Sequence, residues 1–257
     1  MINLYCGDCL DLMKDIPDKS VDMILCDLPY GTTGCSWDII IPFEELWKHY
    51  NRIIKDNCAI VLFGSEPFSS FLRCSNINYY KYDWYWNKKS AGNVLTAKYC
   101  PLKVVETISV FSIGSCRYFP IYLRGCKNRS DEICGTQKSS LYGGIKSGRF
   151  IHSKTNKPVD AHYPKSILDI SKQSSECANG KGLHPTQKPV ELLKYLIKTY
   201  TRENELVLDN CMGSGSTGVA CKELNRQFIG IEKDTKYFEI AQNRINNTLI
   251  KNKLINL

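Results

Sequence analysis

The stretch Glu205-Leu206-Val207-Leu208-Asp209-Asn210-Cys211-Met212-Gly213-Ser214-Gly215-Ser216-Thr217-Gly218 decides the fold. It reads as a short apolar strand, a turn of small residues and the opening of a helix, with Gly213 and Gly215 letting a ligand approach the backbone. A second strand, Gln227-Phe228-Ile229-Gly230-Ile231, follows and ends at Glu232. That carboxylate stands 19 residues after Gly213, about where a strand-end acid reaches the hydroxyl pair of a ribose. Gly213 to Gly218 spells G-x-G-x-x-G, so a nicotinamide dehydrogenase is one reading of the turn. Only 25 residues of this sequence follow Glu232, largely in one helical pattern. No second mononucleotide-binding half is expected there, and earlier strands must complete the adenosine site.

Working outward, strand patterns fall at residues 2–6, 22–26, 58–63, 79–86, 104–111, 206–209 and 227–231. Helical patterns fall at 42–54, 67–75, 189–200, 217–224 and 235–250, several with proline at or near the start. This alternation predicts an α/β fold whose mostly parallel sheet is covered by helices on both faces. Trp84 and Trp86 alternate within a strand and are expected to pack in the sheet.

A second stretch, Asp27-Leu28-Pro29-Tyr30, follows the apolar run Val21-Asp22-Met23-Ile24-Leu25-Cys26, where a buried strand runs out into a cleft. A carboxylate, a stiffened turn and an aromatic ring in that order suit an exocyclic amino group, adenine N6 or cytosine N4. Such a nitrogen is a poor nucleophile because its lone pair is delocalised into the ring. The Asp27 carboxylate and the Leu28 carbonyl, accepting its two hydrogens, favour a pyramidal nitrogen whose lone pair can attack a methyl donor. Pro29 fixes φ and has no N–H, and Tyr30 offers a flat face for stacking. The competing reading is an ordinary strand-end turn.

Three further motifs extend the pattern: Gly7-Asp8-Cys9 ahead of Asp27, Trp86-Asn87-Lys88-Lys89-Ser90 midway, and His184-Pro185-Thr186-Gln187-Lys188-Pro189 before the glycine turn. In this order they resemble the β-class DNA amino-methyltransferases, the D-P-P-Y family of N6-adenine type, over nearly the whole chain. Leu28 departs from the family's second proline, and Cys211 stands where phenylalanine is usual.

The resemblance implies a class I methyltransferase (Rossmann-like) sheet of seven strands, circularly permuted, with one antiparallel strand near an edge. Residues 1–111 would form the catalytic half, 112–182 an inserted target-recognition lobe, and 183–257 the cofactor-binding half. It implies S-adenosyl-L-methionine as cofactor, held by Asp8, Cys9, Thr186, Lys188, Asp209, Met212, Gly213, Gly215, Thr217, Glu232 and Lys233. Thr186 and Lys188, ahead of a helix starting at Pro189, are expected to hold the cofactor carboxylate. Asp27, Leu28, Pro29 and Tyr30 would carry catalysis without a metal, and Lys88, Lys89 and Ser90 would touch the target strand.

The implied substrate is adenine N6 in a base rotated out of double-stranded DNA, because the motif opens with aspartate. Cytosine N4 is the close alternative. A methyltransferase of RNA or of protein glutamine, and a DNA-binding homologue without catalysis, are further classes. A homodimer and a cognate restriction endonuclease stay open as partners, since no interface can be read.

Charge divides the chain. From Ser112 to Val190, 13 lysines and arginines face 5 aspartates and glutamates, an excess of +8 equal to that of the whole chain. A basic stretch of this kind, interleaved with tyrosines, is the footprint of a polyphosphate ligand, and Arg124, Lys127 and Arg129 are its candidate phosphate contacts. A solvated insertion is the bland alternative. The 13 cysteines lie mostly in apolar patterns, which suits a reducing compartment and a cytoplasmic protein. Cys6-x-x-Cys9 has no second pair to complete a zinc site.

Overall fold

A computed structural model describes residues 1–32, 38–124, 161–171 and 187–249. The chain divides into two units, Met1–Phe119 with Lys165–Leu257, and Pro120–Pro164. The first unit is built on β1 (Ile2–Cys6), β2 (Val21–Cys26), β3 (Ile54–Gly64), β4 (Tyr80–Asn87) and β5 (Val105–Phe111). In the second, β6 (Leu123–Arg124) and β7 (Ala161–His162) form an antiparallel pair. The first unit resumes with β8 (Ile167–Asp169), β9 (Leu206–Asp209) and β10 (Gln227–Glu232).

The large sheet has the order β1-β10-β9-β2-β3-β5-β4-β8. Every neighbouring pair is parallel except those made by β5, which runs against β3 and β4. All six residues of β2 are buried. Successive side chains point to opposite faces, so Met23 and Leu25 join one apolar cluster while Ile24 and Cys26 join the other. A strand covered on both sides reads as an unbroken apolar run, which is how 23–26 appears in the sequence, while Asp22 at its start pairs with Lys55. β3 repeats the split, with Ala59, Val61 and Phe63 on the first face and Ile60 and Leu62 on the second.

The first face is covered by α4 (Val190–Tyr200), α5 (Ser216–Glu223) and α6 (Thr235–Asn247), through Leu193, Leu196, Ile197, Ala220 and Ile245. The second is covered by α1 (Cys9–Leu12), α2 (Phe43–Ile53) and α3 (Phe68–Ser75), through Leu46, Trp47, Tyr50, Phe68 and Leu72. Pro42, Pro67 and Pro189 immediately precede α2, α3 and α4, where a fixed φ and a missing N–H cost nothing.

The sheet has eight strands where seven were expected. The additional one, β8, comes from the stretch expected to be wholly inserted, and lies parallel to β4 with Trp86 opposite Leu168. Trp86 Nε1 donates to the Ile170 carbonyl at 2.7 Å and Asn87 Nδ2 to Asp169 Oδ1 at 2.8 Å. Three residues, of which only Leu168 is buried, are too few to show alternation. Trp84 and Trp86 are buried, as their alternation predicted. Among the described residues no helix is long and apolar enough to cross a membrane.

Candidate active site

The carboxyl ends of β2, β9 and β10, the turn after β1 and the first residues of α5 enclose a cavity of about 590 Å³. This is the edge of an open α/β sheet where ligands bind, and the volume suits a small molecule.

One end of the cavity is built by β9, β10 and their turns. Asp209 is buried at the end of β9, where Thr217 Oγ1 donates to its Oδ2 at 2.6 Å and the Cys211 amide to its Oδ1 at 3.2 Å. Burial pushes its carboxyl up to about 7. Glu232 ends β10 and accepts the Gly213 amide at 2.8 Å and the Asp234 amide at 2.9 Å. Burial raises its pKa above the ordinary glutamate value despite those bonds. Asp8 caps α1 by accepting the Leu10 amide at 3.0 Å, and Lys233 Nζ lies 3.0 Å from its other oxygen. That lysine is the main reason the Asp8 carboxyl is held below its usual range.

Met212 and Gly213 line the cavity, and Gly213 has φ +51°. Gly215 lies between Ser214 and Ser216, which also line the cavity. With φ +79°, and with the position of a Cβ 2.8 Å from that of Ala241, it serves the turn and the packing of α6. Cys9 and Cys211 also line the cavity. The hydrogen bond to Cys211, then burial, raises the Cys9 thiol, and burial pushes the neighbouring Cys26 up to about 12. These thiols are protonated packing groups, not nucleophiles.

At the other end, Asp27 Oδ1 accepts the Tyr30 hydroxyl at 2.6 Å and Oδ2 accepts Lys188 Nζ at 2.5 Å. Burial, then the charge of Asp27, holds the Tyr30 hydroxyl well above its ordinary pKa, so it remains a donor. The Tyr30 ring stacks on Phe68 with centroids 4.9 Å apart. Lys188 is buried, with Nζ 5.1 Å from the Phe63 ring centroid and 5.9 Å from that of Tyr30. Glu106 Oε2 lies 3.6 Å from the same ammonium, and Glu106 Oε1 is 3.0 Å from Lys88 Nζ. Burial alone would lower the Lys188 pKa, yet the charges of Asp27 and Glu106 outweigh it and keep the ammonium above its usual range.

Lys188, expected from its place ahead of a helix start to hold the cofactor carboxylate, lines the cavity with its ammonium between Asp27 and Glu106. Lys88, expected on the target strand, is buried against Glu106, whereas Lys89 and Ser90 are exposed. Thr186, Lys127 and Arg129 lie outside the described residues, and Arg124 is described only in its backbone, in β6.

Glu106 and Asp38 were missed by sequence reasoning. Asp38 accepts the Gly31 and Thr32 amides at 2.8 and 2.9 Å and so fixes the turn after Tyr30. Glu106 had one legible signal, a carboxylate interrupting the apolar run of β5. Among the described residues no group of three His, Cys, Asp or Glu is placed to hold a metal ion.

A permuted α/β sheet, a glycine turn after β9 and acids at the ends of β2, β9 and β10 define an enzyme of the class I methyltransferase type. The chain belongs to the DNA methylase family, whose sequence profile matches residues 21–243. It is 48% identical over 268 residues to the type II methyltransferase M2.DpnII of Streptococcus pneumoniae, spanning 93% of this chain and 87% of that one. It is 30% identical over 272 residues to M2.LlaDCHI of Lactococcus lactis subsp. cremoris, again spanning 93% of this chain and 87% of the other. The crystal structure of the M1.HpyAVI–SAM complex superposes with a TM-score of 0.63 at 25% identity, covering 96% of this chain and 100% of that chain. This protein is therefore an S-adenosylmethionine-dependent DNA methyltransferase.

Proposed function

We propose that the protein methylates the N6 of adenine in a base extruded from double-stranded DNA, with Asp27, the Leu28 carbonyl, Pro29 and Tyr30 as its catalytic group. The observation that carries this reading is the Asp27 carboxylate, held at the end of β2 by Tyr30 and Lys188, within the same cavity as Glu232 and Asp209.

The cavity fits the methyl donor: a carboxylate at the end of β10 for ribose hydroxyls, Gly213 for close approach, and a buried acid at the end of β9. Glu232 would bind the ribose, Asp8, Cys9 and Lys233 would border the adenine, and Asp209, Met212, Gly213 and Thr217 would surround the methionine part. When bound, S-adenosylmethionine supplies an electrophilic methyl group on a sulfonium, so the protein needs neither a nucleophile nor a metal.

The work left to the chain is orientation and hydrogen bonding. Each Asp27 oxygen keeps a second lone pair beside the one used by Tyr30 or Lys188. The amino group of the target donates to one of these, and to the Leu28 carbonyl. Its nitrogen becomes acidic only after methylation, so Asp27 acts during attack as an acceptor. Extruding the base costs a few kcal/mol, roughly what stacking on Tyr30 and the hydrogen bonds at Asp27 must offset.

Cytosine N4 remains the second reading, because Asp27 and Leu28 present the same acceptors to either amino group. The type II methyltransferase names of the relatives support a role in restriction–modification, with a cognate endonuclease as partner in the cytoplasm and a homodimer as a further state to examine. The 112–182 stretch, with Arg124, Lys127 and Arg129, is the proposed target-recognition segment. The deciding experiment is incubation with isotopically labelled S-adenosylmethionine and duplex DNA, RNA or protein, followed by nucleoside mass spectrometry. Labelled N6-methyladenine is expected, N4-methylcytosine would move the assignment to the second reading, and label in RNA or protein alone would overturn both.

A further inference from the structure

The loop from 88 to 104 joins β4 to β5 at the rim of the cavity, since Trp86 and Glu106, paired at its base, both line that cavity. Its backbone is well held. The Lys88 amide donates to the Val104 carbonyl at 2.8 Å, and Asn93 acts as an internal clasp. Asn93 Oδ1 accepts the Lys103 amide at 2.6 Å, while Nδ2 donates to Thr96 Oγ1 and to the Pro101 carbonyl, both at 3.1 Å. A short 3-10 turn, Val94–Thr96, forms the tip. At the foot, the buried Lys88–Glu106 pair ties the loop to the sheet.

This clasped loop holds large apolar side chains in water. Leu95 is 98% exposed, Tyr99 89% and Val94 67%. A scattered exposed leucine is ordinary, but three such residues projected together by an ordered loop at a ligand mouth mark a contact surface. Its chemistry is specified by charge: besides the buried Lys88, residues 89–104 contain three lysines and no carboxylate, and Lys98 and Lys103 flank the apolar tip. An apolar knuckle among ammonium groups suits a partner with a phosphate exterior and an apolar interior, which is a DNA duplex opened at one base step.

We propose that Leu95 and Tyr99 form a wedge that enters the base stack as the target base leaves it, filling the vacated place while Lys98 and Lys103 meet the flanking phosphates. This rests on the reading of the protein as a base-extruding DNA methyltransferase. The wedge lowers the cost of extrusion and takes no part in methyl transfer, so its removal should matter only where a paired, stacked base has to be displaced.

The test uses the full chain, the double variant Leu95→Ser/Tyr99→Ala and the single variant Leu95→Ala. The methylated site is first located by sequencing plasmid DNA treated with the parent. Two duplexes carrying that site are then compared, one with the target base paired and one with it opposite an abasic position. For the double variant, kcat/KM on the paired duplex should fall about tenfold or more, and on the abasic duplex by less than about twofold. The single variant should show the same imbalance at smaller size, while S-adenosylmethionine affinity and thermal midpoint match the parent. Equal losses on both duplexes would reduce the loop to a general DNA-binding element and overturn the wedge, as would no loss on either. A changed sedimentation coefficient with an unchanged ratio would assign the tip to a second copy of the chain. A parent that methylates DNA while the variants keep its ratio sinks only the wedge, whereas a parent inactive on every DNA sinks the reading beneath it.

Discussion

The two ends of the cavity are built in different ways. At the β9–β10 end, each acid is held by backbone and hydroxyl donors from nearby chain: Asp209 by Cys211 and Thr217, Glu232 by Gly213 and Asp234. At the β2 end, Asp27 is held by a lysine 161 residues away, which a third strand's Glu106 also attracts. The first end is a preformed cradle of neutral donors around acids whose pKa is raised. The second is an ion cluster in which the proposed acceptor, Asp27, is already engaged by a cation. In the proposed function the cradle sets affinity for the cofactor, and the cluster sets the aim of one carboxylate.

The largest expected effect lies in the cluster. Asp27→Ala should lower the rate of methyl transfer by about 10²- to 10³-fold or more, the usual loss for a transition-state hydrogen-bond group. Calorimetric cofactor affinity should hold steady, and a folded variant with near-parent turnover would dissolve the distinction between the two ends.

Next in size is Lys188→Met, which leaves Asp27 without its cation and should cost roughly 3 kcal/mol of stability, as expected for breaking a buried pair. With the cation gone, Asp27 loses the ammonium that aims it, so kcat at saturating cofactor should fall. Lys188→Arg should restore part of that loss. In the parent, the Lys188 pKa is raised on folding, so its stability contribution is fully present below about pH 10.5 and is lost as pH rises beyond that value. An unchanged kcat in a folded Lys188→Met would mean that the pair is structural only.

The cradle should respond in the opposite sense. Glu232→Ala is expected to weaken S-adenosylmethionine binding by about 1 to 3 kcal/mol, through removal of hydrogen bonds to a charged acceptor, with a smaller change in kcat at saturating cofactor. Unchanged affinity by calorimetry would take Glu232 out of the site. The smallest effect per residue belongs to the basic stretch. Replacing Arg124, Lys127 and Arg129 by alanine should flatten the log–log salt dependence of DNA binding by about 0.9 for each phosphate that is no longer neutralised, leaving cofactor affinity intact. Retention of the parent's salt slope would turn those charges toward solvent.

The cradle was largely legible in advance because its parts are neighbours in the chain. An apolar strand, a glycine turn, a helix start and an acid 19 residues on specify β9, α5 and β10 through local periodicity and φ preference. Glu232 could be named from its spacing to Gly213, Asp209 from the end of its strand beside the glycines, and Asp27 from the end of an apolar run. Gly215 was legible as a special backbone position but not in its purpose, since nothing local says that Ala241 will pack against it.

What only the tertiary structure decided is the set of long-range meetings. Lys188 read as a helix-start cation for an anionic ligand, and Glu106 was not singled out at all. Lys188 meets both Asp27 and Glu106 because β5 runs antiparallel and delivers its first residues to the edge where β2 ends. The eighth strand, the burial of Lys88 and the solvent-held tip of the 88–104 loop belong to the same category. Composition, motif order and residue periodicity determined that this chain folds as an α/β methyltransferase with acids at its strand ends. Which charges neutralise one another was set by strand order and direction, since Coulomb energy depends on distance through space and sequence separation carries no information about it.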